Sequence, residues 1–280
     1  MTLTLRAGDW EAELRPEIGG SLSALRKGGV EVLRTMPESS TSPLDAACFP
    51  LVPYCNRIAG GRFAWQGREV RLPQNFAPET SSLHGFGWES AWHMASKADF
   101  KCGLDHRHDA DEWPWAYEAQ QRVRLGARGL ALSMDVTNRS DEVMPCGLGF
   151  HPYFRRRPET RVRFASSGMV EVDDALIPTG RIAAPDHFAN WQAGTLLPST
   201  LVDHCFTGWD GVVTIEDDLG TITVTARGAS GLHLYAPTDG SALCLEPVSH
   251  PPDALNRDVA AMTALPPGCS ATMTMWISAD

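Results

Sequence analysis

Glu246 closes the apolar run Ala242-Leu243-Cys244-Leu245-Glu246-Pro247. Strand alternation puts it on the side of Ala242 and Cys244. There the carboxylate either loses its water and rises in pKa, or turns outward at the strand's end. His151 sits in Gly147-Leu148-Gly149-Phe150-His151-Pro152-Tyr153-Phe154, and His84 in Ser82-Leu83-His84-Gly85-Phe86-Gly87. Glycines beside a histidine let a ligand or another backbone come close. The plainer alternative is a half-buried imidazole bonded to backbone, and the same choice applies to His250 ahead of Pro251-Pro252. Arg57 lies in a mainly apolar stretch that begins at Phe49. Its planar fork can hold hydroxyls, orient a carboxylate or form a structural salt bridge. Asp203, in Leu201-Val202-Asp203-His204-Cys205-Phe206, can accept hydrogen bonds from vicinal hydroxyls or close a turn. A desolvated glutamate and a histidine both exchange protons near neutral pH, so this set is suited to general acid–base chemistry.

Two further groupings have reactive residue types. Asp105-His106-Arg107-His108-Asp109-Ala110-Asp111-Glu112 contains metal-ligand side chains, but so dense a charged run reads as a solvated loop. Arg155-Arg156-Arg157 follows the His151 segment and reads as a basic turn that could meet a phosphate. No G-x-S-x-G, P-loop, H-E-x-x-H or helix-opening G-x-G-x-x-G is present.

The elements that must position these residues read as strands. Trp115, Tyr117, Ala119, Gln121, Val123 and Leu125 alternate with mostly polar neighbours, as do Leu130, Leu132, Met134 and Val136. The tetrapeptide Gly126-Ala127-Arg128-Gly129 between them predicts a hairpin. Further short runs predict strands at Trp10–Leu14, Arg62–Leu72, Arg161–Phe164, Gly211–Glu216, Thr221–Arg227, Gly231–Tyr235, Ala242–Leu245 and Ala271–Ser278. With 25 glycines and 20 prolines spacing them, the pattern is that of an all-β sandwich or barrel. Helical periodicity is limited to one or two turns within Pro252–Ala264, and Ile177–His204 reads as one long connection. Residues 1–280 are expected to form a single domain.

Composition narrows the partners. A hydrophobic fraction of 43% supports a large core, and a net charge of −10 disfavours nucleic acid and anionic membranes. A neutral small molecule fits best. No apolar run reaches the roughly 20 residues of a membrane span, and the first residues lack the apolar core of a secretory signal. Seven cysteines without C-x-x-C spacing read as buried thiols of a reducing compartment, so a cytoplasmic location is expected. The chain is expected to be a monomer or homodimer.

Together, Asn56-Arg57-Ile58, Leu83-His84-Gly85, His151-Pro152-Tyr153-Phe154, Asp203 in its segment, and Leu245-Glu246-Pro247 with Pro252-Asp253-Ala254-Leu255-Asn256 resemble the galactose mutarotase (aldose 1-epimerase) family. The segments occur in the family's order. The His-Pro-Tyr-Phe and Leu-Glu/Pro-Asp-Ala-x-Asn pieces are the specific ones. The resemblance implies a large antiparallel β-sandwich with an open sugar-binding face. It also implies His151 as general acid, Glu246 as general base, and Arg57, His84 and Asp203 as sugar-binding residues. Pro247-Val248-Ser249-His250 departs from the Thr-Gln pattern of the classical members, and Phe86 stands where a second glycine is common. A galactose preference is therefore not implied.

Interconverting anomers needs one base for the O1 proton and one acid for the ring oxygen. No metal and no cofactor are expected. Two other readings use the same scaffold: a hexose-6-phosphate epimerase with phosphate on Arg155–Arg157, and a non-catalytic carbohydrate-binding protein. A glycoside hydrolase would normally pair two carboxylates, whereas the strongest pair here is a histidine and a glutamate.

Overall fold

Period-two alternation builds the molecule. In Tyr117–Gly126 and Gly129–Asn138 every second side chain is buried while most of its neighbours reach solvent, the signature of a sheet with one wet face. These strands pair over their full length, Gly126 opposite Gly129, as the hairpin spacing predicts. The computed structural model describes residues 2–280.

Two large sheets dominate. One has eleven strands, in the order Leu3–Ala7, Trp10–Arg15, Ser21–Lys27, Cys48–Leu51, Gly149–Pro152, Cys244–Val248, Gly231–Ala236, Val202–Thr207, Gly168–Val172 and Pro178–Ala183, with Val30–Leu33 branching from Ser21–Lys27. The other has nine: His93–Ala98, Lys101–His108, Tyr117–Gly126, Gly129–Asn138, Ser270–Ala279, Gly220–Arg227, Val212–Asp217, Arg161–Phe164 and Thr195–Leu196. Neighbouring strands in both run antiparallel. The main core lies between them, where Leu232, Leu234, Leu243, Leu245 and Phe150 of the first join Leu132, Met134, Val224 and Met275 of the second. The fold is all-β, as expected.

The centre of the eleven-stranded sheet is buried on both faces. Leu232 and Leu234 point into the core, so His233 and Tyr235 take the opposite face; Leu243 and Leu245 do the same for Cys244 and Glu246. On that opposite face a second apolar cluster contains Phe49, Leu51, Cys55, Trp88, Tyr153, Cys205 and Cys244. Alternation in strands buried on both faces thus sorts core from site rather than core from water.

Three expectations need correction. Within Asp105–Glu112, residues 105–108 end the strand Lys101–His108, with His106 and His108 buried against Trp92, Tyr117 and Phe86, whereas 109–112 form the exposed loop expected of the whole run. The stretch 177–204 is not a bare connection, because it carries Pro178–Ala183, a 3-10 turn at Trp191–Ala193 and Thr195–Leu196, and it enters the strand Val202–Thr207. Arg62–Leu72 is a separate hairpin, Arg62–Trp65 with Arg68–Arg71, turning at Gln66-Gly67. Among the described residues the one α-helix, Ala254–Arg257, lies in the expected place and is followed by a 3-10 turn at Val259–Ala261. Among the described residues no helix is long and apolar enough to cross a membrane.

Candidate active site

Three neighbouring strands set out the floor of a cleft of about 320 Å³. On Val202–Thr207, Asp203 faces Tyr235 and Cys205 faces His233; on the next strand His233 faces Glu246. His151 comes from Gly149–Pro152, which pairs with Cys48–Leu51 on its other side. The short strand Arg57–Ile58 supplies Arg57, loops supply Glu79 and His84, and Leu44, Phe76, Leu176 and Leu201 form an apolar rim. All five residues expected from sequence, Arg57, His84, His151, Asp203 and Glu246, therefore meet in one place. A larger hollow of about 550 Å³ lies beside the 126–129 turn, but it is lined by Arg124, Arg128 and Trp276 without a histidine or carboxylate.

His151 and Glu246 touch. Nε2 of the imidazole lies 3.2 Å from Oε1 of the carboxyl, and both side chains are almost wholly buried. The Cys244 thiol lies within 4.8 Å of both. His151 Nδ1 and Glu246 Oε2 have no hydrogen-bond partner in the protein. The imidazole is clamped in a stack: Phe49 packs on it at 4.5 Å, Tyr153 at 4.7 Å, and the Arg34 guanidinium covers Tyr153 at 3.4 Å. Arg34 is anchored in turn by the carbonyls of Ala46 and Leu44. Burial pushes Glu246 up to about 8. Burial, with repulsion from His233 and Arg34, pushes His151 down to about 3. Between those limits the pair holds one proton, which rests on Glu246 and must pass to His151 across their contact before the carboxylate can act as a base.

Arg57 Nε and Nη2 donate to Glu79 at 2.9 and 2.8 Å, and Nη2 reaches Asp203 at 3.4 Å. Arg57 thus forms a salt bridge and also lines the cleft. Its strand Arg57–Ile58 is gripped by the Pro252–Asn256 segment. Asp253 donates its N–H to the Arg57 carbonyl and accepts from Ala59, while Asn256 donates to Asp253 and to the Arg62 carbonyl. That motif is scaffolding for the arginine.

His84 and Asn56 exchange two bonds. The His84 N–H donates to the Asn56 carbonyl, and the Asn56 N–H donates to His84 Nδ1 at 3.1 Å. The His84 ring stands edge-on to His151 at 5.3 Å. Burial, with the nearby charges of His151 and Arg57, keeps its pKa well below normal, so it is a neutral imidazole. Gly85 follows in a left-handed conformation with its backbone against Val52; a Cβ there would lie 2.2 Å from the Val52 carbonyl oxygen.

Other candidates resolve otherwise. His250 accepts from the Cys55 N–H at 3.0 Å, the backbone-bonded alternative. The arginine run is occupied: Arg155 pairs with Asp217, Arg157 with Asp218, and Arg156 with the carbonyls of Pro237 and Ala242. Trp88 is buried against Phe49 and Phe86 packs on His108, whereas Tyr153 lines the cleft.

Sequence reasoning missed His233, Glu79 and Tyr235. For His233 a signal existed, since a titratable residue inside the apolar run Gly231-Leu232-His233-Leu234-Tyr235 is the same anomaly as Glu246 in its strand.

The aldose 1-epimerase family model matches residues 1–278. This chain is a member of the aldose 1-epimerase family. An uncharacterized protein, YphB, of Escherichia coli K12 is 33% identical over 97% of this chain and 96% of that one. A crystal structure from the same organism, provisionally assigned as an aldose 1-epimerase, superposes with a TM-score of 0.93 at 30% identity, covering 100% of this chain and 99% of that one. A galactose mutarotase-like protein of Clostridium acetobutylicum gives a TM-score of 0.87 at 21% identity, over 100% of this chain and 95% of that one, a likeness of fold. The family is one of aldose 1-epimerase isomerases, and membership implies a sugar substrate.

Proposed function

We propose that the protein is a mutarotase that interconverts the α and β anomers of a free, uncharged aldose. The observation that carries this is the direct 3.2 Å contact of His151 and Glu246 on the cleft floor, with one unpartnered buried atom on each. Glu246 takes the O1 proton as base while His151 delivers a proton to the ring oxygen. The C1–O5 bond breaks, the aldehyde rotates about C1–C2, and closure on the other face reverses both transfers. The proton shared by the pair moves onto His151 when Glu246 acts as base. Arg57, His84 and Asp203 bind hydroxyls: a guanidinium, a neutral imidazole and a carboxylate offer donors and acceptors on three sides. The chemistry requires no metal or cofactor.

Charge favours a neutral substrate. Arg57 is already matched by Glu79 and Asp203, and the Arg155–Arg157 run is engaged by aspartates and carbonyls, so neither offers a free cation to a phosphate. A binding protein alone has no use for a buried acid–base pair. The whole chain, 1–280, is read as one functional unit, because a single core cluster runs from Leu3 to Ile277. Six buried free thiols suit a cytoplasmic location.

Polarimetry on freshly dissolved α-D-glucose and α-D-galactose tests the proposal. Wild type is expected to speed equilibration, and Glu246→Gln and His151→Asn each to lose roughly 10²- to 10⁴-fold. Full activity in either variant, or none in wild type across a panel of neutral aldoses, would sink it.

A further inference from the structure

His233 is 3% exposed, lies on the cleft face, and has no part in the reaction as written above. Its Nε2 donates to Asp203 Oδ1 at 2.7 Å. Strand register sets it directly opposite Glu246 on one side and Cys205 on the other, so its ring stands abreast of the carboxyl. Asp203 is in turn held by Arg57, which makes a continuous line Glu79–Arg57–Asp203–His233 ending beside Glu246. We propose that His233 is the fixed cation of the cleft. It is a positioning residue whose imidazolium, bonded to Asp203 and abreast of Glu246, sets the pH window in which the His151–Glu246 pair keeps its single proton. The proposal rests on the acid–base reading of that pair.

The electrostatics agree with the geometry. Burial opposes the charge on His233, but the hydrogen bond to Asp203, the neighbouring Cys205 side chain and the charges of Glu246 and Asp203 outweigh it and push the imidazole up to about 10. Burial likewise opposes charge on Asp203, yet the bond and charge of His233, with Arg57, hold it at about 2. Both groups therefore stay ionised across the range in which the pair works.

A fixed positive charge favours the less protonated form of any neighbour. It makes the second proton harder to add to the pair and the first easier to remove. Removing it must move both limits upward. The other titratable groups facing Glu246 do not substitute for it. Cys48, Cys55, Cys244 and Tyr153 are kept neutral by burial, and His84 is neutral. Asp203 has the wrong sign, and the charge of Arg57 is already shared by two carboxylates.

His233→Gln keeps a donor for Asp203 and removes the charge. In wild type the ¹⁵N shifts of the His233 ring are expected to show an imidazolium at pH 7 and beyond; a neutral ring at pH 7 overturns the proposal even if the variant fails to fold. In protein carrying ¹³C-labelled glutamate, with the Glu246 signal assigned through Glu246→Gln, the titration midpoint is expected to rise by about one pH unit or more in His233→Gln. An unmoved midpoint overturns it. In kcat/KM both limbs are expected to shift upward together, whereas a uniform fall with unmoved limbs marks a packing role and rejects the assignment. The spectroscopic arms need no substrate. A wild type that turned over no aldose would therefore remove the mutarotase reading while the titrations still decided the role of His233.

Discussion

At the scale of single residues, the site is governed by desolvation. Burial drives Glu246 and His151 toward neutrality from opposite directions, to about 8 and about 3. Below the lower limit both groups carry protons and no base remains; above the upper limit both have lost theirs and no acid remains. The expected kcat/KM profile for wild type is a bell whose alkaline limb falls near pH 8, measured by polarimetry in non-nucleophilic buffers. A rate still rising through pH 9 would contradict the single-proton pair. Glu246, Arg57 and His84 were legible because each interrupts an apolar or glycine pattern, a departure that costs free energy unless the residue is used or paired. Their mutual distances were not legible, because they depend on register between strands far apart in the chain: Phe49 opposite His151, His233 opposite Glu246. His233 had the same local signal as Glu246, but its pairing with Asp203, thirty residues earlier on another strand, was not legible.

At the scale of elements, loops and strands divide the work. The strands of the large sheet carry His151, Asp203, His233 and Glu246, while Arg57, on its own short strand, His84 and the apolar rim come from the connections above it. The loop residues are aimed by backbone contacts. Gly85 lets the chain pass against Val52, and Asn75 holds Leu83 through both its N–H and its carbonyl. Gly85→Ala is expected to cost about 2 kcal/mol or more, from positive φ and collision with the Val52 carbonyl, read from urea unfolding. It should also weaken sugar binding, because the displaced segment carries His84. Wild-type stability in this variant would show that the turn relaxes freely. The strand Lys101–His108 teaches the converse. Its charged residues suggested a solvated loop, yet alternation buries His106 and His108 on one face and leaves Arg107 outside. Counting charges misread it, whereas counting every second residue would not have.

At the scale of the whole molecule, the sandwich is closed by a strand that comes late in the sequence. Ser270–Ala279 lies in the middle of the nine-stranded sheet, between Gly129–Asn138 and Gly220–Arg227. It adds Met273, Met275 and Ile277 to the main core. A chain ending at Cys269 is expected to lack a cooperative thermal transition by circular dichroism, although every residue of the cleft is retained. A sharp transition near that of wild type would show that the sheet closes without this strand. The all-β class was readable from alternation and turn spacing. The placement of the final strand was not, since a local pattern does not say which edges it will fill. Its central position also imposes an order on synthesis. Until Ser270–Ala279 is in place, Gly129–Asn138 and Gly220–Arg227 each present an unpaired edge backed by exposed apolar side chains. Two nascent copies on one messenger could zip together along those edges, so the risk for this protein lasts until that strand is inserted.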